Sequence, residues 1–79
     1  MRYLERIGHN LKSARKKRFP KDDLQDFSVR IGVARATLQK MEKGDLSVSI
    51  EKYYRAAEVL EIKESFNKLF EIEKSMFDD

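Results

Sequence analysis

Seventy-nine residues make one small domain, which buries only roughly 60% of its unfolded surface and therefore has a marginal core. Hydrophobic residues are 41% and charged residues 39% of the chain, with no cysteine and a single histidine, His9, so disulfides, thiolate or multi-histidine metal sites and a deep substrate cavity are excluded. The net charge of +3 is unevenly spread: residues 1–43 carry twelve Lys/Arg against five Asp/Glu, a net of +7, and residues 44–79 carry five against nine, a net of −4. Such a split suits a polyanion-binding front half and a different task for the rear half, although solvated surface charge alone could produce it.

Gly and Pro are scarce, and no strand-like alternation or repeat occurs. The expectation is an all-α fold of about five helices. The first helix is predicted over residues 3–18. Leu4, Ile7, Leu11 and Ala14 recur at three- and four-residue spacing and form one face. Arg15, Lys16, Lys17 and Arg18 complement the negative end of its dipole. Phe19-Pro20 ends it, because the residue before proline avoids the α region. The second helix starts at Asp22 or Asp23, either of which can cap free backbone N–H groups. Leu24, Phe27, Ser28 and Ile31 share one side of it, and Gly32 ends it in a left-handed conformation.

The third helix is predicted over residues 35–43, with Leu38, Met41 and part of Thr37 turned inward and Gly44 as its stop. Ser47 or Ser49 caps a fourth helix that carries Ile50, Tyr53, Tyr54, Ala57, Val59 and Leu60 and ends near Glu61. The fifth is predicted over residues 63–76, with Phe66, Leu69, Phe70 and Met76/Phe77 on one stripe.

Two short helices joined by Ile31-Gly32-Val33-Ala34 form a helix-turn-helix candidate. Gly32 permits the sharp bend, and Val33 drops into the core to set the crossing angle. The second helix of the pair then turns Arg35, Ala36, Gln39 and Lys40 outward. A helix of this width fits the DNA major groove, where Arg and Lys pair with guanine and Gln with adenine.

Residues 27–44, FSVRIGVARATLQKMEKG, resemble the Cro/repressor-type (Xre-like) helix-turn-helix family, whose pattern runs roughly LAxxxGVSRxTLxxxExG. The shared features are Gly32, Thr37-Leu38, Glu42 and Gly44 behind an Ala14-Arg15 helix, and the resemblance covers about residues 4–62. It implies a five-helix lambda-repressor-like domain that binds double-stranded DNA. Arg35, Ala36, Gln39 and Lys40 occupy the base-reading positions, and Lys43 and Thr37 lie where phosphate is met. Glu42 stands where the family pairs a glutamate with an arginine of the first helix, here Arg15.

Three departures from the family pattern matter. Leu24 replaces a glutamine that touches phosphate; leucine cannot hydrogen-bond, so that contact is either lost or moved to Lys21. The stretch 19–21 belongs to a loop about two residues longer than usual, placed to meet the DNA backbone or to pack on the core. Ala34 replaces a Ser cap at a cost of about 1 kcal/mol. Ser28 stands for the usual Ala, a smaller change.

The rear half is expected to make a homodimer through residues 63–77, with Phe66, Leu69, Phe70, Met76 and Phe77 at the interface; the alternative is that they complete the chain's own core. The function implied is a dimeric repressor of its own operon on an inverted-repeat operator. The alternative is a HipB-type antitoxin that also binds a toxin protein, an alternative weakened by the short tail after the fifth helix. The carboxylate pairs Asp22-Asp23 and Asp78-Asp79 sit at a cap and a terminus, so neither enzyme activity nor a cofactor or metal is expected. No apolar run approaches the roughly 20 residues of a membrane span, and the N-terminus lacks a signal-peptide core, so a cytoplasmic location is expected.

Overall fold

The computed structural model describes residues 2–72. Its elements in chain order are α1 (Glu5–Arg18), α2 (Leu24–Ile31), α3 (Arg35–Met41), α4 (Ile50–Val59) and α5 (Glu64–Asn67). Among the described residues the only extended pairing is an isolated antiparallel bridge between Tyr3 and Asp45. No helix among them is long and apolar enough to cross a membrane.

Local chemistry sets the helix ends. Asp23 caps α2 by accepting the Asp26 N–H at 2.8 Å, and Asp26 accepts the Asp23 N–H at 3.2 Å, a reciprocal capping box. Gly32 closes α2 at φ 72°, a left-handed conformation that costs glycine nothing. At the far end of α3, Gly44 takes φ 77°, its N–H donating to Met41 O at 2.9 Å.

The core is the meeting of α1, α2, α3 and α4. Phe27, Leu38 and Met41 are completely buried, with Leu11, Ile31, Ala56 and Leu60 around them. Burying such side chains contributes about 1.5–3 kcal/mol each. Phe19 leaves the end of α1 and tilts against Phe27, ring centroids 5.9 Å apart. The longer α1–α2 loop therefore packs Phe19 on the core. The Arg30 guanidinium lies 4.0 Å from the Phe19 ring centroid and pairs with Asp22 at 2.5 Å, clamping the loop from outside. Ser28 is buried, and its hydroxyl donates to Gln25 O at 2.7 Å.

Three expectations about faces and lengths are corrected. Leu4 and Ile7 are exposed; the inward face of α1 is Gly8, Leu11 and Arg15, with Ala14 half-buried. The reason is a close approach of backbones: α1 rests on the loop after α3 at Gly8, so its first turn overhangs the core. Ile50 is likewise exposed, and Ala56 takes the inward place on α4.

The fifth helix is the third correction. It spans four residues, Glu64–Asn67, and Phe70 adopts φ 65°, which breaks the run predicted over 63–76. Phe66 packs edge-on against Tyr54 with centroids 5.4 Å apart, but Leu69 is about half exposed and Phe70 fully so. A helix that short closes few of its own hydrogen bonds, and without a covered apolar face propagation does not repay nucleation. Met76 and Phe77 lie outside the described residues.

Candidate nucleic-acid interface

The geometry of α3 follows from its sequence. Leu38 and Met41 point into the core, Thr37 is half-buried, and Arg35, Ala36, Gln39 and Lys40 are exposed on the other side. Seven residues with a fully buried pair leave one outward stripe, and that stripe holds two cations and an amide. The turn before it is held from three directions. Gly32 N–H donates to Val29 O at 3.2 Å, Val33 N–H to Ser28 O at 3.0 Å, and Arg55 on α4 donates to Gly32 O at 3.3 Å. Arg55 is a turn-holding residue that no sequence motif marks.

Arg15 and Glu42 form a two-point ion pair, Nε to Oε2 at 2.6 Å and Nη2 to Oε1 at 3.2 Å. Their side chains are only 7% and 9% exposed. The fork also reaches back to Asp22 O at 3.5 Å, so one guanidinium ties α1, the α1–α2 loop and the end of α3 together. A bidentate pair fixes orientation as well as distance, and here it sets how α3 projects from the bundle.

The loop after α3 is fixed from both sides. Leu4 N–H donates to Gly44 O at 2.8 Å and Leu46 N–H to Arg2 O at 2.7 Å, so residues 2–4 lie along it. The Asp45 carboxylate accepts the Ser47 N–H at 2.8 Å and the Ser47 hydroxyl at 2.7 Å. These two bonds hold the Asp45 carboxyl below the usual carboxylate range. The Tyr53 hydroxyl donates to Asp45 O at 2.7 Å, and burial pushes its own titration upward. Lys43, at the start of this loop, is exposed.

Ion pairing separates the cations into two groups. Arg15, Arg18, Arg30 and Arg55 pair with Glu42, Glu61, Asp22 and Glu51. Arg35, Lys40 and Lys43, with Lys12, Lys16, Lys17 and Lys21, form no ion pair among the described residues. The charges left available to a polyanion thus include the whole outward face of α3. Lys21 is exposed in the α1–α2 loop. Among the described residues no group of His, Cys, Asp or Glu is placed to hold a metal ion.

A helix-turn-helix family model matches residues 11–67, which span α1 from its second turn through α5. No curated protein and no solved structure matches the chain. The chain belongs to this helix-turn-helix family, of the Cro/C1 (Xre-like) type, and is a DNA-binding transcription regulator.

One local weakness is testable. Ala34 occupies the N-cap of α3 with extended backbone, φ −69° and ψ 151°, and offers no side-chain acceptor. Ala34→Ser places a hydroxyl where free N–H groups wait. It should stabilise the fold by about 1 kcal/mol, seen as a rise of roughly 4–8 °C in melting temperature. An unchanged melt would mean that those N–H groups are already satisfied.

Proposed function

We propose that the protein is a dimeric repressor that reads an inverted-repeat operator in its own promoter. The observation that carries this reading is the outward stripe of α3. Arg35, Gln39 and Lys40 stand exposed and without ionic partners among the described residues, on a helix whose other side buries Leu38 and Met41. Arg35 and Lys40 suit the O6 and N7 acceptors of guanine, Gln39 suits adenine, and Ala36 suits the thymine methyl group. Lys43, Lys21 and Thr37 serve the phosphates. A bound repressor covers the promoter and so blocks transcription.

A single recognition helix reads too short a site for regulation, so a second copy is needed. Ile62, Leu69, Phe70 and Ile72 support this, since all four are apolar and exposed. Two α3 helices related by a twofold axis then enter successive major grooves roughly 34 Å apart. The same apolar end would serve an antitoxin that holds a toxin, an alternative favoured by a toxin gene beside this one.

Titration of the upstream DNA tests both parts. Affinity should fall steeply between roughly 50 and 200 mM salt, because phosphate contacts release counterions. Phe70→Asp changes a side chain that is 98% exposed and should leave the monomer folded. It should dissociate the dimer in light scattering and weaken operator binding far more than random-DNA binding. A wild-type protein that stays monomeric at micromolar concentration, and binds one half-site as tightly as the full repeat, would sink the dimer.

A further inference from the structure

α3 has only seven residues, so the aim of its outward stripe depends on what holds its two ends. At its exit the junction is the backbone of Asp45, a residue only 4% exposed. The Asp45 N–H donates to Lys40 O at 3.1 Å, and the Asp45 carbonyl accepts the Tyr53 hydroxyl of α4 at 2.7 Å. Lys40 belongs to the outward stripe, so whatever fixes Asp45 also fixes Lys40.

A further hold on Asp45 comes from residues 2–4. Tyr3 and Asp45 face each other as an antiparallel pair, and backbone bonds close on either side of them. Leu4 N–H donates to Gly44 O at 2.8 Å, and Leu46 N–H donates to Arg2 O at 2.7 Å. Gly44 lies so close to this segment that a Cβ on it would overlap the Leu4 carbonyl oxygen. Leu4 is also the N-cap residue of α1, so the segment ties the start of α1 to the exit of α3. The side chains of Arg2, Tyr3 and Leu4 are exposed, whereas their backbone makes the bonds.

We propose that residues 2–4 are a positioning strap for the recognition helix. By pairing with residues 44–46 they hold Asp45, and through it Lys40, in the register that sequence discrimination needs, without contacting a base. The proposal rests on the reading of α3's outward stripe as the part that reads bases. Loss of the strap shows in discrimination more than in general affinity. Attraction to phosphates tolerates a small shift of the helix, and paired hydrogen bonds to a base edge do not.

The test compares two variants of the 79-residue chain that both lack the Arg2 charge. Deleting Arg2 and Tyr3 joins Met1 to Leu4 and removes the carbonyl that Leu46 uses. Arg2→Gln with Tyr3→Ala keeps the backbone and changes only side chains. Neither residue belongs to the core, and circular dichroism verifies folding. The readouts are the ratio of affinities for the protein's own upstream DNA and for random duplex, and hydrogen exchange at the Leu46 amide. The wild type and the double substitution should share one ratio and a slowly exchanging amide. The deletion should lower the ratio about two- to thirtyfold, the range for residues that act through others, and speed the exchange. If the deleted chain does not fold, Arg2→Gly with Tyr3→Gly loosens the strap at full length and should shift both readouts the same way. Equal ratios in the strap-loosened chain and the double substitution, or a Leu46 amide that exchanges freely in the wild type, would overturn the strap while leaving base reading standing. A wild type that does not discriminate its upstream DNA from random duplex would instead overturn base reading, and the strap's role with it.

Discussion

Gly8→Ala should destabilise the protein by more than about 3 kcal/mol, the upper range for overpacking, because the atoms in the way are backbone. A Cβ at Gly8 would sit 2.5 Å from Glu42 O and still closer to the Gly44 N–H. Neither atom belongs to a flexible side chain that could swing aside. A domain of this size has only about 4–12 kcal/mol in all, so much of the population would unfold on mild heating. Gly44→Ala should be at least as damaging, since it adds a clash with the Leu4 carbonyl to a backbone held at φ 77°. The control is Asn10→Ala, on the exposed side of the same helix, which should be neutral or slightly stabilising. Urea midpoints of the three variants decide it. If Gly8→Ala is as stable as the wild type, α1 does not rest on the loop after α3.

The second large effect is at the Arg15–Glu42 pair. Removing either partner leaves the other charge in a nearly closed site, with side chains 7% and 9% exposed. Arg15→Ala and Glu42→Ala should each cost about 3–5 kcal/mol. The double change should cost less than the two singles added together, because no lone charge then remains. Arg15→Lys should not restore stability, since an ammonium cannot make the two parallel bonds at 2.6 and 3.2 Å. Small, additive losses in urea titrations would show that the two side chains do not support each other. Because the pair joins α1 to the end of α3, single variants that remain folded should also lose DNA affinity.

Much of this was legible from residue chemistry. Asp23 and Gly32 mark the ends of α2 because a carboxylate caps and a glycine turns left-handed at no cost. Leu38 and Met41 are readable as the inward pair of α3 by their three-residue spacing. The face of α1 was not readable in the same way. Apolar periodicity selects Leu4 and Ile7, but the buried side is Gly8, Leu11 and Arg15, a glycine and an arginine that a hydrophobic pattern discards. An isolated glycine within a helical run was the available signal for a close backbone approach.

The tail shows the opposite limit. Phe66, Leu69 and Phe70 have helical spacing, yet spacing states only which residues could share a face. Phe66 finds Tyr54, whereas Leu69 stays about half exposed and Phe70 almost fully so, and the helix stops at Asn67. In the candidate interface, the composition of the outward stripe is visible in the sequence. Which cations are neutralised is not: Arg30 and Arg18 look as available as Lys16, and only the fold pairs them with Asp22 and Glu61.

Base reading by the outward face of α3, as proposed above, stands or falls on one comparison. The most direct measurement is the ratio of affinities for the protein's own upstream DNA and for random duplex, at one salt concentration, in the wild type and in Arg35→Ala. Arg35 is exposed and unpaired among the described residues, so the change should leave the fold unaltered. The expected loss is about 1–3 kcal/mol for the specific site, with a smaller loss for random DNA, so that the ratio falls. An unchanged ratio in a folded Arg35→Ala protein would contradict it.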